Sequence, residues 1–313
     1  MNYSKVAVLI PCRDEEQTVA QVVGNFSRAL PGSRIYVYDN ASNDRTGERA
    51  RASGAIVRRE PAPGKGHVVR RMFAEIDADV FVLVDGDETY DATRAPELVA
   101  AIVSDHVDMV TAVRDDGGDH RAYRGGHRLA NSMFNGAVGV FFGSRPRDMF
   151  SGYRALSRRF VKSFPASARG FEIETELAVH ALQLRVPTAE IVTRYRARSA
   201  GSASKLRSYR DGARIIAFMG FLLKEVRPFA FFSFIGALLL VGALGFGIPV
   251  IIEYQHTGLV PRLPTAVLAT GLVLLSSLSF VCGLILDSVS RGRLEAKRLA
   301  YLGAPGASAA GVD

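Results

Sequence analysis

Short apolar runs alternate with amphipathic stretches along the first two-thirds of the chain. The apolar runs are rich in Val, Ile and Tyr, which predicts strands. They cover residues 5–10, 34–39, 55–60, 79–85 and 108–114. The stretches between them have the apolar spacing of helices and cover residues 15–30, 44–53, 64–76 and 95–105. Strands and helices that alternate in this way predict βαβ units, and therefore an α/β fold with a mostly parallel sheet.

Two uncharged apolar segments follow towards the carboxyl end, at residues 229–252 and 265–286. At a helical rise of about 1.5 Å per residue, each is long enough to cross a hydrocarbon core of about 30 Å. The alternative is a pair of buried core helices. Because uncharged runs of this length are uncommon in soluble cores, the sequence predicts two transmembrane helices.

The segment just before the first span predicts an amphipathic helix. Its basic and apolar side chains fall on different faces at helical spacing, as in helices that lie along a membrane surface. A helix docked on the preceding domain is the alternative. The predicted organisation is a domain at 1–204, an interface helix at 205–228, two transmembrane helices with a short external connector at 229–287, and a basic cytoplasmic tail at 288–313, whose end we expect to be disordered.

The positive charge of the chain gathers beside the two spans. The net charge is +8. Residues 205–228 carry six basic and two acidic side chains, and residues 288–313 carry four and two, so these flanks supply +6. The positive-inside rule then predicts an inner-membrane protein that crosses twice, with its large domain and both termini in the cytoplasm. The predicted partner is a lipid bilayer and not a nucleic acid.

Polar clusters follow several predicted strands, and the densest is DGDETYD at residues 85–91. In an open, mostly parallel sheet these strand ends share one edge, where ligands bind. Asp85 and Asp87 point the same way along an extended segment, and such carboxylates repel each other unless a cation lies between them. A hard ion such as Mg²⁺ or Mn²⁺ suits them, since it completes its shell with phosphate and water. Helix capping is the alternative for polar clusters of this kind.

Other nucleotide-binding motifs are absent from the sequence. The stretch APGKGHVV lacks the spacing and the Lys-Ser/Thr pair of a P-loop. No G-x-G-x-x-G follows the first predicted strand. A nucleotide would therefore have to be held in another way.

An ordered series of motifs resembles the family 2 glycosyltransferases of the GT-A fold: VLIPCRDEEQTVAQVV, YVYDNASNDRTGERA, GKG, LVDGDETYD and FSGYRALSRR. With YRARSAGSASKLRSYRDGARII and the two spans, the chain is similar to the polyprenyl-phosphate sugar synthases, the group of dolichyl-phosphate mannose synthase and bacterial undecaprenyl-phosphate glucosyltransferases. The resemblance implies a Rossmann-like GT-A catalytic domain. It also implies an inverting, metal-dependent transfer of a hexose from a nucleotide sugar to a polyprenyl phosphate, for a cell-envelope glycan. A UDP-hexose is the favoured donor, with UDP-glucose as the first choice.

The resemblance also implies roles for individual residues. The nucleotide sugar would be bound by Pro11, Arg13, Glu15, Asp39, Lys65, Asp85, Arg198 and Lys205. The implied catalytic set is Asp85, Asp87, Arg114, Arg128 and Ser132, of which the last three would receive the acceptor phosphate. Asp87 is the implied metal ligand, with Asp85 and Thr89 as further candidates. Thr89 stands where many relatives have a glutamine.

Several alternatives remain open at this stage. Glu172, Glu174 and Glu176 could bind sugar hydroxyls, or could only complement the dipole of a helix start. The chain could be a non-catalytic membrane module that binds a nucleotide sugar. A processive polysaccharide synthase is disfavoured, because the sequence has no tryptophan and so lacks the Q-x-x-R-W motif of that group. The sequence leaves a homo-oligomer open.

Overall fold

The computed structural model describes residues 3–115, 146–170, 172–196, 220–221 and 224–305. The chain divides into two compact units. The first unit contains residues 1–205 together with 296–313, and the second contains residues 206–295. The predicted interface helix at 205–228 lies mostly outside the described residues.

The first unit alternates strands and helices, as its sequence pattern predicts. The strands are Val6–Cys12 (β1), Arg34–Asp39 (β2), Ile56–Arg59 (β3), Val80–Leu83 (β4), Met109–Asp115 (β5), Arg154–Ser157 (β6) and Thr188–Arg194 (β7). The helices are Val19–Ala29 (α1), Thr46–Ala52 (α2), Lys65–Glu75 (α3), Ala95–Ser104 (α4), Arg158–Ser163 (α5) and Ile173–Leu184 (α6), with a 3₁₀ turn at Ala92–Arg94. The prediction from apolar runs missed β6 and β7.

The described strands form one mixed sheet in the order β3-β2-β1-β4-β6-β5-β7. Strand β6 is antiparallel to both of its neighbours, β4 and β5. The other pairs are parallel. Six strands therefore run in one direction and end at the same edge, here called the carboxyl edge. The predicted α/β fold with a mostly parallel sheet is confirmed.

Both faces of the sheet are buried, which explains why the central strands are apolar without alternation. On one face, Val8 and Val82 pack with α1, α2 and α4. On the other face, Leu9 and Phe81 pack with α3, α5 and α6. Each of these side chains contributes about 1.5–3 kcal/mol when it is fully buried. The sheet edge that carries the polar clusters thus rests on a rigid two-sided core.

A charged cluster ties the outer strands to α3. The Glu75 carboxylate accepts hydrogen bonds from Tyr38 Oη at 2.7 Å, Arg58 Nη1 at 2.5 Å and Arg71 Nε at 2.6 Å. The bond from Arg71, followed by those from Tyr38 and Arg58, lowers the pKa of Glu75 to about 2, against a smaller opposing effect of burial. Strands β2 and β3 are therefore fixed to α3 by a carboxylate that stays ionised.

The opposite, amino edge of the sheet holds the last turns of the chain's final helix. Asp108, just before β5, is buried and accepts hydrogen bonds from Ser157 Oγ at 2.6 Å and from two nitrogens of Arg159 at 2.6 and 2.9 Å. Tyr301 Oη donates a further bond to Asp108 at 2.7 Å, and the Arg159 guanidinium lies 4.9 Å from the centre of the Tyr301 ring. Residues 296–303 thus contribute to the first unit.

Two helices are long and apolar enough to cross a membrane, Pro228–Thr257 (α7) and Leu263–Gly303 (α8). Both belong to the second unit, except for residues 296–303 of α8. The predicted spans lie inside these two helices. Only 17% of the most apolar window of each helix is buried, so the described part of the chain leaves most of this apolar surface uncovered. Ser276 Oγ donates to the carbonyl of Gly236 at 2.8 Å, which bonds the two helices directly.

Candidate active site

The predicted site residues gather where parallel strands end. Asp39 is the last residue of β2, Asp85 lies just beyond β4, and Arg114 lies near the end of β5. Because β2, β4 and β5 run in the same direction, these side chains emerge at the carboxyl edge. The predicted convergence of polar clusters at one edge is therefore observed.

The loops after β1 and β2 are bonded to each other. Ser42 Oγ accepts from the backbone N–H of Asp14 at 3.0 Å, and Asp14 Oδ1 accepts from the N–H of Asn43 at 2.8 Å. Asp44 Oδ2 accepts from the N–H of Glu16 at 3.1 Å. Side chains in these two clusters thus satisfy backbone donors, the role that the capping alternative describes. Their effect is to fix the shape of the edge.

A buried ammonium group joins the DGDETYD cluster, at residues 85–91, to α6. Lys65 Nζ, at the start of α3, donates to Asp85 Oδ1 and, at 2.5 Å, to Glu174 Oε1. Only 7% of the Lys65 side chain and 7% of the Glu174 side chain are exposed, against 28% for Asp85. Removing one partner of a buried pair typically costs about 3–5 kcal/mol, so Lys65 organises this part of the edge.

The two carboxylates beside Lys65 keep its ammonium group charged. Burial acts to lower the pKa of Lys65, but the adjacent Asp85 and Glu174 raise it, and the net direction is upward. Burial raises the pKa of Glu174, and the Asp85 charge adds to that effect while Lys65 opposes it. One fixed cation is therefore shared by two carboxylates, and only Asp85 is appreciably exposed.

Asp87 is oriented by the residue that replaces the expected glutamine. Thr89 donates to Asp87 Oδ1 from its hydroxyl at 2.6 Å and from its backbone N–H at 3.3 Å. Between the two aspartates, a Cβ at Gly86 would overlap Glu15 Oε2 and Cys12 Sγ. Burial, followed by the nearby Glu15 carboxylate, raises the pKa of the Cys12 thiol. Cys12 is therefore a packing residue and not a thiolate ligand.

The described residues fit a metal that is held by few protein ligands. They contain no group of three His, Cys, Asp or Glu side chains placed for a metal ion. Asp85 is engaged by Lys65, which leaves Asp87 as the principal carboxylate at the strand end. Mg²⁺ commonly binds through one or two carboxylates together with substrate phosphates and water. The donor set here matches that pattern.

The segment before β6 forms a wall against Asp85. A Cβ at Gly152 would overlap Asp85 Oδ2, and the N–H of Gly152 donates to Tyr90 Oη at 2.9 Å. Arg154 is fully buried, and its guanidinium donates to the carbonyls of Met149 at 2.7 Å and Ser151 at 3.1 Å. Arg154 thereby holds this wall in place.

Arg114, which the resemblance assigns to the acceptor phosphate, is paired with a carboxylate. Asp148 accepts from Arg114 Nε at 2.7 Å and from Nη2 at 2.8 Å, a two-pronged geometry that fixes the plane of the guanidinium. The Arg114 guanidinium also lies 5.4 Å from the centre of the Tyr195 ring. Its position is therefore well defined, and a large part of its charge is offset by Asp148.

The other predicted residues lie at the ends of β1 and β2, in the loop after β1, or outside the described part of the chain. Pro11 is buried at the end of β1, and Asp39 Oδ1 accepts from the N–H of Ser42 at 2.9 Å. Arg13 is half-exposed and lies 3.8 Å from Asp14, and the N–H of Glu15 donates to Thr46 Oγ1 at 2.8 Å. The predicted residues that lie outside the described part of the chain are Arg128, Ser132, Arg198 and Lys205.

Sequence reasoning left two partners of this site unresolved or unnoticed. Glu174 was one of three equivalent candidates, but Glu176 accepts from the N–H groups of Ser167 and Ala168, and Glu172 accepts from the N–H of Gly170. Of the three, Glu174 is the one that reaches Lys65. Asp148 was missed altogether, because nothing in its neighbourhood marks it as the partner of an arginine 34 residues away.

Comparisons with known proteins place the chain among glycosyl transferases. The model of the family described as glycosyl transferase family 2 matches residues 7–163. The glycosyltransferase AglJ of Haloferax volcanii is 31% identical over 255 residues, which cover 80% of this chain and 82% of the relative. A dolichyl-phosphate hexose transferase of the same organism is 27% identical and covers 68% of this chain and 91% of the relative. A dolichol-phosphate mannosyltransferase of Pyrococcus furiosus is 28% identical and covers 56% and 52%.

A similar fold occurs among solved structures. Glucosyl-3-phosphoglycerate synthase from Mycobacterium tuberculosis, in complex with Mn²⁺, UDP-glucose and phosphoglyceric acid, superposes with a TM-score of 0.55 at 25% identity. The match covers 70% of this chain and 78% of that chain.

The contact between Gly152 and Asp85 generates a stability prediction. Replacement of Gly152 by alanine should lower the free energy of unfolding by about 1–3 kcal/mol, because the added methyl group must displace Asp85 from its pair with Lys65. The matched control is Gly24→Ala in α1, where an added Cβ meets nothing within 4 Å and should stabilise the helix by about 0.5–1 kcal/mol. Thermal and denaturant unfolding of the full chain in detergent measure both changes. Equal stability of the two variants would contradict the close contact.

Proposed function

The chain belongs to glycosyl transferase family 2, and from that premise we propose that it transfers a hexose from a nucleotide sugar to a polyprenyl phosphate. The observation that carries this proposal is the arrangement at the end of β4. There the buried Lys65 ammonium group is shared by Asp85 and Glu174, and Asp87 follows Asp85 by two residues. The loops after β1 and β2 are bonded to each other at the same edge. UDP-glucose is the first choice of donor, since a solved structural neighbour binds UDP-glucose with Mn²⁺.

The donor would lie along the loops after β1, β2 and β4. Pro11, Arg13, Glu15 and Asp39 line the nucleoside side of this edge in the proposal. Lys65 holds Asp85 in place, so that its exposed carboxylate edge faces a ribose or sugar hydroxyl. Arg198 and Lys205, from a basic segment, would close over the diphosphate. Two carboxylates kept apart by a fixed ammonium group can bind a neutral sugar without repelling the diphosphate next to it.

Asp87 would hold a Mg²⁺ or Mn²⁺ ion, with Thr89 fixing its carboxylate and Asp85 as a further candidate ligand. When bound, such an ion stabilises the negative charge that develops on the departing nucleoside diphosphate. The chain's own contribution is orientation. Thr89 presents one side of Asp87, and the wall at Gly152 limits where Asp85 can move.

The acceptor chemistry favours a phosphate over an alcohol. A lipid monophosphate is largely ionised near neutral pH, since its second pKa is about 6, so it needs no strong general base. Its oxygen would attack the anomeric carbon, forming a new C–O bond as the bond to the diphosphate breaks, with inversion at that carbon. The relatives named for dolichyl phosphate support this acceptor. Arg114, Arg128 and Ser132 are the proposed phosphate ligands, and arginine matches phosphate oxygens in pairs.

A polyprenyl phosphate also requires a membrane. The helices α7 and α8 supply two candidate spans, and the basic residues beside them favour the cytoplasmic face of the inner membrane. The alternative of a non-catalytic module that binds nucleotide sugar predicts binding without transfer.

Both hypotheses are tested by incubating the purified full chain with radiolabelled UDP-glucose and polyprenyl phosphate. Chloroform-soluble label supports the transferase, and its absence with retained UDP-glucose binding supports the module.

Metal dependence is the first prediction for this reaction. Asp87→Ala should lower the rate of transfer by about a hundredfold or more, because about 3 kcal/mol of transition-state stabilisation depends on the ion. Removal of divalent metal with EDTA should have the same effect on the unaltered protein. The matched control is Asp105→Ala, which removes an exposed carboxylate after α4 and should leave the rate unchanged. Full turnover by protein confirmed to be free of metal would refute the proposal.

Arg128 separates the acceptor site from the donor site. With polyprenyl phosphate below saturation, Arg128→Ala should lower the rate of transfer about ten- to a hundredfold, since one charge-assisted contact contributes about 1.5–3 kcal/mol. UDP-glucose affinity, measured by calorimetry, should stay nearly the same. Arg51→Ala in α2, which removes an exposed arginine, is the charge-matched control. Loss of UDP-glucose affinity in Arg128→Ala would move this residue to the donor site.

The topology is tested with single cysteines. In a Cys282→Ala background the remaining Cys12 is buried, so a new surface cysteine reports its own location. Leu259→Cys, in the connector between α7 and α8, should react with a membrane-impermeant maleimide in intact cells, because this connector is expected outside. Arg298→Cys should react only after the cells are permeabilised. The reverse pattern would place the catalytic domain on the external face and contradict the proposal.

A further inference from the structure

A cavity of about 460 Å³ lies next to the carboxylate motif but is not lined by the donor residues. Its volume falls within the range of about 300–1,000 Å³ that small-molecule sites occupy. The cavity lies between α1 and the segment that follows Asp87. Its lining residues are Gln21, Asn25, Arg28, Ala29, Glu88, Tyr90, Asp91, Ala92, Thr93 and Arg196. Lys65, Glu174 and Asp39 are not among them. A crevice that shares Asn25, Glu88, Tyr90 and Ala92 with the cavity reaches Asp85, but its volume is only about 10 Å³, too small for a sugar.

Three polar side chains in this lining are available to a ligand as far as the described residues go. Glu88, Gln21 and Arg196 form no side-chain hydrogen bond or ion pair within the part of the chain that the structure describes. In contrast, most charged residues around the neighbouring site are paired, as Lys65 and Arg114 are. A carboxylate, an amide and a guanidinium that remain available at one cavity can each make two hydrogen bonds to a ligand.

Glu88 reaches the cavity through an unusual backbone conformation. Its φ of 61° lies in the left-handed region, which residues with a Cβ adopt only rarely. Asp85, two residues before the neighbouring Asp87, is held towards the donor side by Lys65. Glu88 instead lines the cavity beside α1. Within one acidic motif, Asp85 therefore lies at Lys65 and Glu88 lies at the cavity.

The charges of the lining indicate the class of ligand. Arg28 and Arg196 balance Glu88 and Asp91, so a strongly anionic or cationic ligand would meet like charge in either case. Gln21 and Asn25 add amide donors and acceptors, and Tyr90 adds an aromatic ring. Balanced planar donors and acceptors beside an aromatic ring suit the hydroxyl groups and apolar face of a sugar.

We propose that this cavity is a second carbohydrate site, which binds a neutral mono- or disaccharide independently of the nucleotide sugar. The proposal goes beyond the transfer reaction, because neither a nucleotide sugar nor a lipid phosphate needs this cavity. It assigns to Glu88, Gln21 and Arg196 the direct contacts with sugar hydroxyls. The other polar residues of the lining complete the enclosure.

The test is equilibrium dialysis of the full chain in a detergent without a sugar headgroup. The probes are radiolabelled glucose, galactose, mannose and maltose, each with and without saturating UDP and Mn²⁺. At least one sugar should bind saturably to one site, and UDP should not displace it. The double variant Gln21→Ala/Arg196→Ala should raise the Kd at least fivefold, because it removes two of the three side chains assigned to the sugar. Ser27→Ala, on an exposed position of the same helix, should leave the Kd unchanged.

A second pair of variants tests the charged part of the lining. Arg28→Ala should raise the Kd of the bound sugar, whereas Arg94→Ala, an exposed arginine outside the lining, should not. Absence of saturable binding by all four sugars overturns the proposal, and so does complete displacement by UDP. Tighter binding of inorganic phosphate than of any sugar, lost in Arg28→Ala, overturns the assigned ligand class. Each readout is a binding constant, so failure of transfer to lipid would leave this test unaffected.

Discussion

The mutual repulsion of carboxylates at the end of a buried strand is the constraint on which the site depends. Asp85 and Glu174 approach the same ammonium group, and Asp87 follows Asp85 by two residues. Asp87 and Glu174 are buried, where water screens charges poorly. The protein places the ammonium group of Lys65 between Asp85 and Glu174. Asp87 accepts hydrogen bonds from the hydroxyl and the backbone N–H of Thr89, which are uncharged donors. The division explains how an acidic edge can be stable and still accept a cation from solution.

The geometry of that group depends on parts of the chain that are distant in sequence. Lys65 begins α3, and Glu174 lies in the first turn of α6. Gly152 belongs to the segment whose backbone carbonyl at Met149 is bonded to the Arg154 guanidinium. Arg154 is buried and is bonded to backbone carbonyls, with no hydrogen bond to a carboxylate among its described contacts. It therefore acts as a rigid scaffold for the wall. A two-sided core beneath the sheet keeps these elements in register.

Much of the first unit could be predicted because its signals are local. The runs that became β1, β2, β4 and β5 are apolar on both faces, and the GT-A fold implied by the ordered motifs is confirmed. Strands β6 and β7 were missed for physical reasons. The four residues of β6 are too few to show a period, and β7 is an edge strand with mostly exposed or half-exposed side chains. Asp148 and the role of Glu174 depend on contacts across 34 and 109 residues, which no local pattern reveals.

The contact of Tyr301 with Asp108 means that the catalytic unit is discontinuous in sequence. Residues 206–295, which include both apolar helices for most of their length, form an insertion between its main body and its last segment. A soluble fragment that stops before the first apolar helix would omit Tyr301 and Lys297, and with them the bonds to Asp108 and Gln183. Folding of the whole unit is therefore complete only after the last residues of α8 have been synthesised, and so after both apolar helices have left the ribosome.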